Sequence, residues 1–163
     1  MFKKEEILRF ETELSEELEN ARRIAEIIKV RMDNLPSSSD GAYEVYIDSI
    51  SHNIENFYMA VEEILKMICA ATEEGLPEGE RWHSILLKNM TKDVRNLRPP
   101  VISVKTYDLL DDFRKFRHLA RNIYTFNIKP DKVLSLAKKL DTAFKCLKRD
   151  IKGFLHFLFK MTD

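Results

Sequence analysis

Apolar residues recur at steps of three and four along nearly the whole chain, and each run of that pattern stops at or near a proline. Ile7, Phe10, Leu14, Leu18, Ala21, Ile24 or Ala25, Ile28 and Met32 fall on one stripe when wound at 3.6 residues per turn. Residues Pro36 to Gly41 end it, and Asp40 is suited to cap the next helix. Ile50, Ile54, Phe57, Val61, Ile64, Ile68 and Ala71 make a second stripe that reaches Gly75-Leu76-Pro77. The spacing predicts a shorter third helix from about Gly79 to Val94. Arg98-Pro99-Pro100 then forces extended backbone, because each proline removes a donor and restricts the residue before it. Ser103 is placed to cap a fourth helix running to about Phe126, and Pro130 fits the first position of a fifth. Val133, Leu136, Leu140, Ala143, Leu147, Ile151, Phe154 and Leu158 form its stripe. A glycine inside a helix costs on the order of 1 kcal/mol relative to alanine. Gly153 therefore predicts a close helix contact.

The alternation that strands need is almost absent. The predicted fold class is all-α, an up-and-down antiparallel bundle of about five helices, with residues 1–163 in one domain. Cys69 and Cys146 both lie within apolar helical patterns and read as buried core residues, not as a disulfide or a metal set. MFKKEEILRF lacks the apolar centre of a signal peptide, and no apolar run approaches the roughly 20 residues of a membrane span. A cytoplasmic protein without a membrane partner is expected. There is no Cys/His cluster, paired-carboxylate motif or glycine-rich phosphate loop, so the sequence offers no metal or other cofactor site.

The net charge of zero hides an asymmetry. Residues 1–80 hold 8 Lys and Arg against 19 Asp and Glu, whereas residues 81–163 hold 19 against 8. Pairing between helices accounts for some of this, but the second half also permits a cationic surface able to meet phosphates. That charge concentrates on the fourth helix. There Leu109, Phe113, Phe116, Ala120 and Ile123 share the side that can enter the core. Arg114, Arg117, His118 and Arg121 share an adjacent side, with Tyr124 on the same strip. Guanidiniums this close repel one another, and either carboxylates of the acidic half or a bound phosphate relieves the repulsion.

The segment Phe116-Arg-His-Leu-Ala-Arg-Asn-Ile-Tyr124 resembles the motif of the HEPN superfamily, specifically that of the HepT-like ribonuclease toxins. In that motif an Arg precedes a polar residue, a His comes after four to six positions, and a Tyr stands two further on. The blocks Leu76 to Met90 and Arg98 to Ser103 resemble the middle of one HepT-like subfamily. By that resemblance Arg117 is the motif Arg, His118 the polar residue and Tyr124 the tyrosine, while Asn122 stands where the His belongs. It implies a homodimer in which the motifs of two protomers converge, and metal-independent RNA cleavage by attack of a 2′-hydroxyl on the adjacent phosphate. It also implies a minimal nucleotidyltransferase antitoxin as partner, which attaches adenylate to Tyr124.

Such cleavage needs a proton acceptor and a cation for the developing phosphorane charge. Arg117 can be the cation, with Arg114 and Arg121 as further phosphate contacts. Asn122 cannot take up a proton, because a carboxamide has no useful basicity. Three readings stay open: His118 substitutes as base, Arg117 and Asn122 hold RNA or a nucleotide without cutting it, or the strip is a dimer contact. Trp82 and His83 read mainly as a cap on the end of the bundle, with ligand contact by His83 as the lesser alternative. Phe154, Phe157 and Phe159 read as core or dimer surface.

Overall fold

A computed structural model describes residues 3–72 and 74–162, with Thr125 described by its backbone alone. The described chain is all-α: α1 (Lys4–Asp33), α2 (Tyr43–Ala71), α3 (Trp82–Asn89), α4 (Val104–Asn122) and α5 (Pro130–Lys160). No helix of the described residues is long and apolar enough to cross a membrane.

The predicted stripes are the core. Val133, Leu136, Leu140, Ala143, Leu147, Ile151, Phe154 and Leu158 of α5 are all buried, as are Ile50 to Ile68 of the α2 stripe. In α1 the buried residues are Ile7, Leu14, Leu18, Ala21 and Ile28, with Phe10 and Met32 packed at their margin. α1 packs against α2 and α5, α4 against α2 and α5, and the short α3 wedges between α2 and α4. Arg31 near the end of α1 bonds Ser49 near the start of α2, while Phe10 and Met67 share a cavity at the opposite end. The two helices are therefore antiparallel, as are α4 and α5, where Asp150 late in α5 meets Ser103 before α4. Cys69 and Cys146 are buried free thiols, and burial pushes Cys69 up to about 11.

Several boundaries differ from the sequence expectation. α3 is only 8 residues long, and a side chain takes the carbonyl of its last residue. Arg98, with its side chain fully buried, donates to the carbonyls of Asn89 at 3.3 Å and Lys92 at 3.0 Å, which supplies partners for groups a helix end leaves open. Left-handed backbone at Asn96 (φ 64°) then turns the loop. α4 stops at Asn122, whose amide donates to the carbonyl of His118 at 2.6 Å, and Ile123 is extended. Such a local side-chain bond competes with helix continuation. Asp40 is not the cap of α2: it accepts from the Ala42 amide at 2.8 Å in the turn before the helix. On α4 Leu110 is fully buried along with Thr106, Phe113 and Phe116, whereas Leu109, Ala120 and, just past the helix end, Ile123 pack at the core margin. Gly153 makes no close contact, since a Cβ there would meet nothing within 4 Å.

The start of α4 is tied down twice. The Ser103 hydroxyl accepts from the Thr106 amide at 3.1 Å, and Asp150 accepts from the Ser103 amide at 2.9 Å and the Thr106 hydroxyl at 2.6 Å. Burial alone would raise the Asp150 carboxyl, but these donors and Arg149 outweigh it and hold it below the ordinary carboxylate range. A depressed folded value stabilises the protein above the unfolded value, near pH 4, and that contribution is lost as pH falls through the folded value. Asp150→Ala is thus expected to lower stability by about 1–3 kcal/mol at pH 7. In urea unfolding the gap to the parent protein should narrow below about pH 4; a gap independent of pH would refute this role.

Candidate functional site

On α2, Tyr58 and Leu65 are buried one turn before and one turn after Glu62, which is itself only 5% exposed. Helix periodicity thus puts a carboxylate on a face that packs inward, and a buried charge requires partners. It has two. His83 at the start of α3 meets Oε2 through Nδ1 at 2.5 Å, and Arg117 of α4 donates from Nη1 to Oε1 at 3.2 Å. Because an ionised carboxylate only accepts, it places the imidazole proton on Nδ1. The Trp82 indole stacks on the His83 ring at 3.7 Å, so the ring is held at an edge and across a face.

Above this contact lies an open cleft of about 550 Å³, lined by Arg114, Arg117, His118, Arg121 and Asn122 of α4, with His83 and Tyr58 opposite. The cationic residues of α4 are unequal. Arg114 donates to Asp111 at 2.6 Å, and Lys115 reaches the same carboxylate at 3.1 Å. Burial would raise Asp111, but the bonds from Arg114 and Lys115 prevail and hold it below its ordinary range. Arg117 is satisfied by Glu62. Arg121 is exposed and has no ion-pair partner among the described residues; His118 is exposed too. The Tyr58 hydroxyl, on a residue only 1% exposed, has no hydrogen-bond partner among the described residues. Burial, reinforced by the charge of Glu62, raises its pKa far above the usual phenol, so it remains a neutral, solvent-shielded donor on a residue that borders the cleft.

A family model described as HepT-like protein matches residues 49–158, from the first turns of α2 to the end of α5. The chain belongs to the HepT-like family. No curated protein and no solved structure gave a match. In this HepT-like chain Arg117, His118 and Asn122, the residues that the resemblance singled out, all line the cleft. Tyr124 does not share their strip, because α4 has ended before it; it is 73% exposed and stacks on Phe126 at 5.3 Å. Among the described residues, no group of three or more His, Cys, Asp or Glu is placed to hold a metal ion.

Sequence reasoning passed over Tyr58, Glu80, Arg81 and Ser84 of the cleft and Glu62 beneath His83 and Arg117, and gave His83 a lesser part. Glu62 did leave a trace, as an acid inserted at helical spacing between Tyr58 and Leu65 in an otherwise apolar row. Removing one partner of a buried ion pair strands the other, at a cost of roughly 3–5 kcal/mol. Glu62→Ala is expected to lose about 3 kcal/mol in denaturant unfolding, since Arg117 keeps some solvent at 14% exposure. Adding Arg117→Met should recover part of that loss; strictly additive effects would show that the pair is not coupled.

Proposed function

We propose that this HepT-like protein acts on RNA, as the toxin component of a pair whose partner is a minimal nucleotidyltransferase, and that the cleft between α3 and α4 engages a phosphodiester. The observation that carries the proposal is the charge of Arg121, unmatched among the described residues, beside Arg117 in one cleft. Arginine suits phosphate through its planar set of donors. Asn122 adds an uncharged polar group at the rim.

The family's metal-independent chemistry requires a cation at the phosphate, which Arg117 and Arg121 supply, and a proton acceptor, which Asn122 is not. The carboxamide favours a second reading, in which RNA or a nucleotide is held without being cut. Dimerisation through α4 fits the exposed aromatic pair Tyr124 and Phe126, 73% and 82% exposed, beyond its C-terminus. An exposed phenol at Tyr124 is likewise accessible for adenylate transfer, and the added phosphate would bring negative charge close to Arg121.

Two measurements test this. Binding of single-stranded RNA should weaken with salt, and Arg121→Ala should lower both the affinity and the steepness of log K against log salt, by about 0.7 for one lost phosphate contact. An unchanged slope would remove the phosphate from this cleft. Incubation with the cognate nucleotidyltransferase and ATP should add adenylate mass to the parent protein and none to Tyr124→Phe. Equal labelling of both would move the modification to another residue.

A further inference from the structure

We infer that His83, oriented by Glu62, is the general base of this cleft and supplies the imidazole that the Asn122 position lacks. The inference rests on the RNA-directed reading and adds to it the group that moves the proton. Glu62 accepts from Nδ1, so Nε2 of the neutral ring carries the free lone pair, and among the described residues it has no hydrogen-bond partner. The ring is 36% exposed and lines the same cleft as Arg117 and Arg121. Arg117 and His83 sit on the two oxygens of one carboxylate. A phosphodiester over the guanidinium therefore brings its neighbouring ribose to the imidazole.

His118, the other imidazole at the cleft, is exposed on α4 and has no carboxylate among the described residues to fix its tautomer or stabilise its protonated form. His83 has both. The charged and titratable groups around it are Glu62 of α2, Arg114, Arg117, His118 and Arg121 of α4, and Glu80 and Arg81 just before α3.

In the reaction, Nε2 of His83 takes the proton of a ribose 2′-hydroxyl, and the freed oxygen pair forms a bond to the adjacent phosphorus. The bond from phosphorus to the 5′-oxygen breaks, and that oxygen takes a proton from solvent water. The resulting hydroxide recovers the proton from imidazolium. The products are a 2′,3′-cyclic phosphate and a 5′-hydroxyl. Glu62 stabilises the imidazolium while it exists, and Arg117 and Arg121 meet the phosphorane oxygens.

The test uses the full chain with a mixed-sequence single-stranded RNA oligonucleotide in chelator-treated buffer. The parent protein should yield 2′,3′-cyclic ends. His83→Gln, which retains a donor for Glu62, should bind RNA and melt like the parent yet cleave about 100- to 10,000-fold more slowly. His118→Ala should stay within a few-fold of the parent. Loss of cleavage in His118→Ala while His83→Gln keeps the parent rate would assign the base to His118 and overturn the inference. Free imidazole should restore part of the rate to His83→Ala, with a pH profile that tracks the added imidazole. Cleavage by His83→Gln at the parent rate, or RNA binding by the parent protein without cleavage, would overturn the base assignment and leave RNA binding standing. Absence of binding would overturn the RNA reading and this inference with it.

Discussion

A carboxylate on the inward face of a helix has to be met by cations or donors, since leaving it unpaired in an apolar setting costs several kcal/mol. Glu62 is such a group, and the arrangement around it results from satisfying it. One oxygen draws in the guanidinium of α4 and the other the imidazole of α3, so three helices are fixed to one another at a single point. Well-packed apolar residues of similar volume serve stability as well as a buried ion pair does, and often better. The pair instead contributes position: an arginine and a tautomer-fixed histidine held side by side at the mouth of an open cleft.

The same logic explains how the arginine strip of α4 is tolerated. The sequence left two ways to relieve its repulsion, internal carboxylates or an external phosphate, and the fold divides the strip between them. Asp111 takes Arg114 and Glu62 takes Arg117, while Arg121 projects without an internal counter-ion among the described residues. The opposed charges of the two halves of the chain reappear here as contacts. Glu62 and Glu74 come from the acidic half, and Arg117, His83 and Arg98 from the basic half. Internal pairing consumes part of the positive charge, and the remainder is gathered in one place.

The helices and their core stripes were legible because burial along a helix repeats every 3.6 residues and turns concentrate prolines. Every predicted stripe residue of α5 is buried. Where the reading failed, a contact distant in sequence or a single side chain intervened. Arg98 takes the last carbonyl of α3, and α4 is closed by the Asn122 amide folding back on His118. Local propensity contains neither event. The α4 half of the cleft was visible as a cationic strip, whereas of its other half only His83 was noticed, and then as a lesser alternative. That Glu62 faces His83 is a tertiary fact, 21 positions apart in the chain, and His83 carries no periodic signature of its own on so short a helix. Gly153 shows the opposite error, where a residue type that often marks close approach simply faces open space.

Placing the base on α3 rather than α4 transfers the demand for precision to that helix. Eight residues make barely two turns, too few to hold their own position without tertiary contacts. α3 is instead fixed at both ends to acids of one neighbouring segment. At its start His83 meets Glu62, and at its end Arg98 joins the carbonyls of Asn89 and Lys92 to the Glu74 carboxylate just after α2, at 2.5 and 2.8 Å. Leu86, Leu87 and Met90 seal the interval between them. A catalytic group must be held to about 0.5 Å, and a helix clamped at two points and packed in the middle meets that demand where a free loop would not. The Arg98–Glu74 clamp therefore fixes the C-terminal end of α3 as the Glu62–His83 contact fixes its start, which gives the Arg-Pro-Pro segment a physical part in positioning this helix.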